Sequence, residues 1–340
     1  SRKEGMNLLI LSSNPERGSF RDRIGNYFDI MAARGIVPTV EVPSQCPVKR
    51  ARQYARIDRY DVVLLHKKCL TSFEAVFFSP RQAKVIFNYD DAVMFNQHGI
   101  PTRTHVHRFR RSVQRADTIL VGSSYLARQA AAYHDHIRIL PLGLNTERYG
   151  SPPSRPRDGK VRLVWVGSPV TLNYLDQLRP IMRELAGQYS NLVLRLVCEE
   201  FLDMEGVEFE KIRWTPETRY RALAEADIGL APLPDNPFTR GKCTFKVLEY
   251  SASGLPVIAS PVGTNVDHVK DGVTGYLAET PHQWIEKLSR LIEAPQQRHD
   301  MGACGREYAR EFDRSIIGEK LCDLILQTAT ATGPGRNTAT

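Results

Sequence analysis

Three basic side chains and one carboxylate are grouped in the second half of the chain, where they could bind a phosphorylated nucleoside. Arg240, Lys242 and Lys246 lie in a glycine-containing loop that leads into a predicted helix beginning near Thr244. The free N–H groups and partial positive charge of a helix start favour an anion beside such cations. Glu249 follows Lys246 by three residues and shares its helix face, so its carboxylate could accept hydrogen bonds from ribose hydroxyls. Taken singly, the same residues also fit a solvated basic loop with a Lys–Glu pair.

A second turn follows this helix and is expected to reach the same ligand. Gly254-Leu255-Pro256 ends the helix and leads into the predicted strand 257–259. The turn after that strand contains Gly263 and Thr264, whose backbone N–H groups could point towards an anion. The segment therefore predicts an anion site built from one helix start and one turn.

Several familiar motifs are missing from the sequence. It contains no GxGxxG after the first strand, no GxxxxGK[ST], no HExxH and no GxSxG. A dinucleotide dehydrogenase, a P-loop nucleotidase, a zincin and a serine hydrolase with a nucleophile elbow are therefore not expected. No two aspartates are separated by a single residue, which argues against a divalent metal bridging a diphosphate.

Short apolar runs alternate with amphipathic segments along the chain, a pattern typical of parallel strands covered by helices. The predicted strands are 7–11, 61–65, 84–87, 118–121 and 137–140, then 161–166, 192–197, 228–231 and 257–259. The predicted helices are 22–34, 103–115 and 124–133, then 172–188, 216–226, 245–253, 281–293 and 305–328. The fold class predicted is α/β, with two Rossmann-like doubly wound domains facing across a cleft.

A proline-rich stretch at 151–160 is interpreted as the linker between the two domains. We therefore predict an N-terminal domain at 1–153 and a C-terminal domain at 160–310. Residues 311–328 are predicted to form a terminal helix that could pack on either domain. Residues 329–340 lack the apolar side chains needed for a core and are predicted to be disordered.

Composition bounds the class of protein. The chain has 340 residues, of which 42% are apolar and 25% charged, as in soluble globular proteins. Its apolar runs are too short for a membrane span, and its start does not resemble a signal peptide. The six cysteines are scattered, without paired spacing, which is typical of a reduced cytoplasmic protein without structural zinc.

Charge is unevenly distributed between the two halves. Residues 1–150 carry 23 Lys and Arg against 13 Asp and Glu, whereas the remainder carries 23 against 25. A basic half suggests an anionic partner. The arginines at 103–115 lie on a predicted helix without the aromatic residues of a nucleic-acid binder. We prefer an anionic acceptor or the inner face of a membrane to nucleic acid, and a plain solvated helix face stays open.

The run of residues 238–277 resembles the donor-nucleotide region of the GT-B glycosyltransferases, specifically the retaining family 4. The matching pieces are Lys246 with Glu249, then Ala252-Ser253-Gly254-Leu255-Pro256-Val257-Ile258-Ala259, then Val262-Gly263 with Asp267, Gly272 and Gly275. Shorter likenesses occur at 139–149, at 164–171, at 226–233 and at 305–326.

The resemblance implies roles for particular residues. Glu249 would hold the donor ribose, and Lys246 with Arg240 or Lys242 would neutralise the diphosphate. The other donor-binding groups would be the backbone at Gly263 and Thr264 and the hydroxyls of Ser168 and Thr171. The first domain would bind the acceptor, and its candidate catalytic residues at strand ends are His66, Asp90 and Asp91.

Those three residues also have simpler explanations. A carboxylate there could act as a base towards an acceptor hydroxyl. His66 could equally be a strand-end histidine without a role, and Asp90-Asp91 could be a helix N-cap.

The function implied is transfer of a sugar from a nucleotide diphosphate sugar to an acceptor hydroxyl, with retention of configuration and without metal or cofactor. The acceptor is open, with a lipid-linked intermediate or a polysaccharide among the options. Two departures weaken the match: Gly241 occupies the place of the family's first glutamate, and Pro169, Thr171 and Asn173 occupy the place of its usual Arg and Lys. The alternatives are a catalytically degenerate nucleotide-sugar-binding subunit and a nucleotide-sugar 2-epimerase of the same fold.

Overall fold

The structure, a computed structural model, describes residues 5–96, 98–149 and 158–331. The chain divides into two compact units. Unit 1 contains the described residues up to Gly143, the segment Asn236–Cys243 and the described residues from Arg314. Unit 2 contains the described residues of Leu144–Asp235 and Thr244–Asp313.

Unit 1 is built on a six-stranded parallel sheet. Its strands are β1 (Met6–Ser12), β2 (Ile36–Glu41), β3 (Val62–His66), β4 (Lys84–Tyr89), β5 (Thr118–Val121) and β6 (Ile137–Ile139). Their order is β2-β1-β3-β4-β5-β6, and every pair is parallel. The order of the strands along the sheet reverses between β1 and β3. Ligands of such sheets bind beside the carboxyl ends of the strands at this point.

The helices of unit 1 cover both faces of this sheet. They are α1 (Gly18–Arg23), α2 (Phe28–Ala33), α3 (Pro47–Tyr54), α4 (Ser72–Phe77), α5 (Arg103–Gln114) and α6 (Ser124–Ala131). The single helix predicted at 22–34 is wrong: a 3₁₀ turn at Gly25–Tyr27 separates α1 from α2. The break lets the Tyr27 ring enter the core, where its hydroxyl accepts a hydrogen bond from the Gly143 N–H at 3.0 Å.

Unit 2 contains a second six-stranded parallel sheet. Its strands are β7 (Val161–Val166), β8 (Leu192–Cys198), β9 (Glu208–Arg213), β10 (Ile228–Ala231), β11 (Val257–Ala259) and β12 (Gly275–Leu277). Their order is β12-β11-β10-β7-β8-β9, which is the Rossmann order read from one edge to the other. The reversal lies between β7 and β10, so the loops after these strands are expected to hold a ligand.

Among the described residues that follow β6, seven α-helices belong to unit 2 and one to unit 1. Those of unit 2 are α7 (Leu172–Asp176), α8 (Arg179–Gln188), α9 (Pro216–Ala224), α10 (Phe245–Ala252), α11 (Asn265–His268), α12 (Pro281–Glu293) and α13 (Pro295–Ala309). The last helix, α14 (Arg314–Thr330), packs in unit 1 and buries Ile317, Leu321 and Ile325 there. The predicted helices 172–188 and 305–328 are each interrupted, between α7 and α8 and between α13 and α14.

The ends of the two units differ from the predicted domain limits. The first segment of unit 1 ends at Gly143, and Leu144 already pairs with Asp313 in unit 2. Most of the predicted linker, residues 151–157, and most of the predicted tail, residues 332–340, lie outside the described residues. The predicted disorder from 329 is wrong for its first two residues, because α14 runs to Thr330 and Ala329 packs on the core.

Candidate functional site

Glu249 is a buried, charge-compensated carboxylate in the second half of α10. Its residue is 3% exposed. Its Oε1 accepts a hydrogen bond from the Tyr149 hydroxyl at 2.8 Å and lies 3.0 Å from Nη1 of Arg219. A carboxylate removed from water requires such partners to remain ionised. The arrangement therefore holds a negative charge at a fixed place on α10.

Arg219 is itself fixed by aromatic neighbours. Its guanidinium carbon lies 4.8 Å from the ring centroid of Tyr220 and 5.7 Å from that of Trp214. Burial alone would lower the pKa of Arg219, but the Glu249 carboxylate outweighs it and raises that pKa. Burial and the same carboxylate raise the pKa of Tyr149 well above its usual range, so its hydroxyl stays a donor.

Lys246 lies on α10 three residues before Glu249 and contacts the end of β7. Its Nζ is 4.4 Å from the ring centroid of Trp165, a fully buried residue of β7. A side chain on Gly167 would collide with that indole, since a Cβ there would come within 2.1 Å of Cη2. Glycine at the end of β7 thus leaves room for the tryptophan that the ammonium covers.

Ser168 and Thr171 form a capped turn directly after β7. The Thr171 hydroxyl donates to the Ser168 carbonyl at 3.0 Å and accepts from the Ser168 N–H at 3.2 Å. Ser168 is exposed and Thr171 is half-buried. Both predicted hydroxyls therefore stand at the sheet reversal of unit 2.

The turn after β11 is tied to the start of α10 and to the end of β10. Gly263 has a φ of 60°, and the Thr264 hydroxyl accepts a hydrogen bond from the Thr244 N–H at 2.7 Å. The Asn265 amide donates to the carbonyls of Ala231 at 3.3 Å and Ser260 at 2.9 Å. These contacts hold the turn after β11 against the start of α10 and the end of β10 within unit 2.

The predicted phosphate-binding cations do not all belong to one unit. Lys246 lies in unit 2, whereas Arg240 and Lys242 lie in the segment Asn236–Cys243 of unit 1. Nζ of Lys242 is 4.0 Å from Oδ1 of Asp91 and 4.9 Å from the ring centroid of Phe238. Arg240 is exposed.

His66 is buried at the carboxyl end of β3. Asn88, its neighbour on β4, donates its amide to the Leu120 carbonyl at 3.2 Å, so its Oδ1 is left to accept from Nδ1 of His66 at 2.9 Å. This pairing leaves Nε2 as the acceptor nitrogen of a neutral imidazole. Burial lowers the pKa of His66, although the Asp90 carboxylate opposes this effect.

Asp90 and Asp91 share one ammonium group in unit 1. Nζ of Lys67 lies 2.6 Å from Oδ1 of Asp90 and 2.7 Å from Oδ2 of Asp91. Burial would raise the pKa of Asp91, but Lys67 and Lys242 lower it. Lys67 has a φ of 52°, a conformation rare for a residue with a side chain, which indicates that the surrounding contacts hold it in place. The helix-cap interpretation of Asp90-Asp91 is wrong, because α5 begins at Arg103 and Thr102 caps it.

Arg219 and Asn265 contribute to this site, but the sequence did not reveal them. Tyr149 ends the short likeness at 139–149, which assigned it no role. Each reaches its partner across many residues, and no spacing pattern marks such a contact. Among residues 5–96, 98–149 and 158–331, no group of three or more His, Cys, Asp or Glu side chains could hold a metal ion. Over the same residues, none of the helices combines the length and apolar character that crossing a membrane requires.

A cavity of about 250 Å³ opens in unit 2 at the carboxyl ends of β10 and β11. Its lining includes Leu233, Asp235 and Ser260 from the loops after these strands and Trp284 of α12. It lies beside the loops that hold Thr264 and Asn265.

Residues 155–294 match the family model described as glycosyl transferases group 1. Two similar proteins are D-inositol 3-phosphate glycosyltransferases. That of Corynebacterium diphtheriae is 32% identical over 108 residues, and that of Streptosporangium roseum is 34% identical over 119 residues. These matches cover 31% and 33% of this chain but only 24% and 26% of those proteins.

Two solved structures share the architecture over nearly the whole chain. Sucrose-phosphate synthase from Thermosynechococcus elongatus has a TM-score of 0.75 at 15% identity and covers 96% of this chain and 100% of its own. Anabaena HepE in complex with UDP has a TM-score of 0.71 at 15% identity, with coverages of 95% and 100%. The fold is therefore GT-B, as the sequence predicted. Each of its two parallel sheets has six strands, where the sequence predicted five and four.

Proposed function

We propose that this chain, which has the GT-B fold and matches the group 1 glycosyl transferases over residues 155–294, transfers a sugar from a nucleotide diphosphate sugar to an acceptor hydroxyl. The main support for this proposal is a pair of residues on α10. Lys246 contacts Trp165 near the end of β7, and three residues later the carboxylate of Glu249 pairs with Arg219. A cation for the diphosphate and an anion for the ribose hydroxyls then stand on one helix face at the sheet reversal.

The donor we propose is a uridine nucleotide sugar. Anabaena HepE has been solved with UDP and with UDP-glucose, and its fold covers 95% of this chain. The curated relatives are named as glycosyltransferases, which favours transfer over epimerisation. The cavity beside β10 and β11 offers space for one part of such a donor.

The donor-binding residues of unit 2 would assist the departure of the diphosphate. Negative charge grows on the leaving phosphate as the glycosidic bond breaks, so the Lys246 ammonium and the N–H groups at Gly263 and Thr264 would bind it more strongly in the transition state. Glu249 would hold the ribose, and the Ser168 hydroxyl would donate a hydrogen bond. The Thr171 hydroxyl would donate one on turning away from the Ser168 carbonyl, which it contacts at 3.0 Å. Because the cation and the N–H groups offset this charge, we propose that transfer needs no metal.

The acceptor would bind in unit 1, beside His66, Asp90 and Asp91. Nε2 of His66, the acceptor nitrogen when Nδ1 donates to Asn88, would accept a proton, and Lys67 pairs with both carboxylates. We propose retention of the anomeric configuration and an acceptor hydroxyl on a lipid-linked intermediate or a polysaccharide. An acceptor with negative charge suits the excess of basic residues in 1–150.

Nucleotide binding tests the donor site directly. The thermal midpoint is measured with UDP, GDP, ADP and their sugars for the wild type, Lys246→Met and Lys270→Met. Lys270 is the matched control, because its ammonium also lies over an aromatic ring of unit 2, 5.4 Å from the centroid of Tyr308. We expect one nucleotide to raise the midpoint by mass action. Lys246→Met should weaken the affinity for that nucleotide about 10- to 100-fold, which is the loss of one charge-assisted hydrogen bond.

Equal binding by both lysine variants, or no binding of any nucleotide to the folded wild type, would contradict the donor site. NMR of the product's anomeric proton then tests retention, and activity in EDTA tests independence from metal. Binding without turnover towards any acceptor would instead support the degenerate subunit that Gly241 left open.

A further inference from the structure

Three helices of unit 1 form one continuous surface, called here the α3–α5 surface. Glu74 of α4 accepts from Arg50 of α3 at 2.9 Å and from the Tyr54 hydroxyl at 3.1 Å. On the other side of α4, Arg111 of α5 donates to the Ser72 hydroxyl at 3.0 Å. All three helices are fully described, so their outward side chains can be compared.

The charge that this surface presents is entirely positive. Glu74 is the one carboxylate in the three helices, and it is 0% exposed. Burial would raise its pKa, but Lys68, 2.7 Å away, and the Thr71 N–H lower it to about 2. The exposed cations are Lys49, Arg52, Arg103, Arg108 and Arg110.

An apolar ridge separates the two basic helices. Phe73, Val76 and Phe77 occupy one face of α4, at positions i, i+3 and i+4, and are 45%, 74% and 42% exposed. The two phenyl rings are 4.8 Å apart. On α3, Val48 is 61% exposed. Clustered exposed apolar side chains of this kind usually mark an interaction site.

A groove of about 540 Å³ runs between the ridge and α5. Its walls include Ser72 and Phe73 on one side and Arg103, Arg108 and Arg111 on the other. A phosphate placed there would meet several guanidinium groups and a hydroxyl, the donors that bind phosphate best. The groove therefore suits a phosphorylated headgroup whose apolar portion lies along the phenyl rings.

We propose that the α3–α5 surface docks the protein on an anionic lipid bilayer. The phenyl and valine side chains of α4 enter the interfacial region, and the arginines of α5 and the basic residues of α3 contact lipid phosphates. A bilayer fits better than nucleic acid or an acidic protein segment, because three exposed apolar side chains of α4 lie between the two rows of cations. The inference rests on the proposed function only in that a lipid-linked acceptor would be met at such a surface.

Vesicle flotation tests the proposal without donor or acceptor, so its failure is separable from failure of the transferase proposal. The full chain is mixed with vesicles of phosphatidylcholine alone or of an equal mixture with phosphatidylglycerol. The charge variant is Arg103→Gln with Arg108→Gln, and its matched control in unit 2 is Arg183→Gln with Arg213→Gln. The apolar variant is Val76→Ser with Phe77→Ser, matched by Phe201→Ser with Val273→Ser, which are 40% and 52% exposed.

We expect binding to the anionic vesicles only, weakening with added salt. Loss of two arginines should lower the partition coefficient about thirtyfold, at roughly 1 kcal/mol per basic residue. The apolar variant should lower it about tenfold or more. Neither control should change it, and circular dichroism establishes that all variants are folded.

Three results would overturn the proposal. Equal binding to neutral and anionic vesicles would remove the role of charge. An equal loss of vesicle binding in the variants and in their controls would show that no particular surface docks on the bilayer. Release from vesicles by millimolar inorganic phosphate, with unchanged binding by the apolar variant, would indicate a site for a small soluble phosphate.

Discussion

The ion pair of Arg219 and Glu249 allows a quantitative test of the site in unit 2. Their side chains are only 11% and 5% exposed, and 3.0 Å separates Nη1 from Oε1. Arg219→Met removes the charge but preserves most of the volume, and it leaves the Glu249 carboxylate buried with the Tyr149 hydroxyl as a weaker partner. Breaking a buried pair by removing one partner costs about 3–5 kcal/mol. We expect the free energy of unfolding of unit 2 to fall by that amount.

The remainder of the cycle isolates the pair. Glu249→Leu alone leaves a buried guanidinium without its carboxylate and should also destabilise by several kcal/mol. The double variant replaces both charges with apolar groups, which is often close to neutral. Its loss of stability should therefore be smaller than either single loss, and so well below their sum.

Tryptophan fluorescence reports on the right unit. The chain has three tryptophans, Trp165, Trp214 and Trp284, and all three lie in unit 2. Urea unfolding followed by this signal therefore reports the loss of structure around three residues of unit 2. Additive single losses, or a loss below 0.5 kcal/mol for Arg219→Met, would refute the argument that this pair stabilises the site.

Three further outcomes follow from single positions. Burial lowers the pKa of His268 from its usual 6.5 to about 4, so the unfolded state takes up the proton first as the pH falls. The free energy of unfolding should therefore drop by about 2 kcal/mol between pH 7 and pH 5. Urea titrations of His268→Gln should lack this part of the drop. A Cβ on Gly241 would come within 2.6 Å of the Ala92 Cβ, so Gly241→Glu should lower the calorimetric stability of unit 1 by about 1–3 kcal/mol, and an unchanged transition would contradict that packing. Lys67→Met removes an ammonium that lowers the pKa of Asp91, so the acid limb of the kcat/KM profile should move to higher pH; an unmoved limb would exclude Asp91 as the group that titrates.

The central strands were predictable, and of the four edge strands only β6 was predicted, whereas β2, β9 and β12 were missed. Strands such as β1, β3, β7 and β8 are buried on both faces and appear as mostly apolar runs, interrupted by Arg162 in β7 and Arg195 in β8. The edge strands β2 and β9 are half-solvated, and β9 has the sequence EFEKIR with exposed and half-buried residues intermixed. Their pairing is determined by the neighbouring strand, so the local pattern contains too little information to predict them.

The candidate site divides in the same way. Lys246 and Glu249 do lie on one helix, as their spacing predicts, because helical periodicity is local. The partners that keep Glu249 ionised come from Arg219 on α9 and Tyr149, 30 and 100 residues earlier. Contacts across such distances arise from tertiary packing, and no short motif encodes them.

Gly241 illustrates how packing can account for a departure that the motif alone leaves unexplained. The resemblance puts a glutamate at this position, and its absence suggested a weakened donor site. In the structure, Gly241 belongs to a segment that packs inside unit 1, where the Pro237 carbonyl accepts from the Tyr125 hydroxyl at 2.9 Å. The same segment ends at Cys243, whose sulfur lies close to Gly122. A Cβ added to Gly122 would lie 2.2 Å from that sulfur. A glutamate at 241 would have to displace this packing, so glycine here is a steric requirement of unit 1, whatever its effect on donor binding.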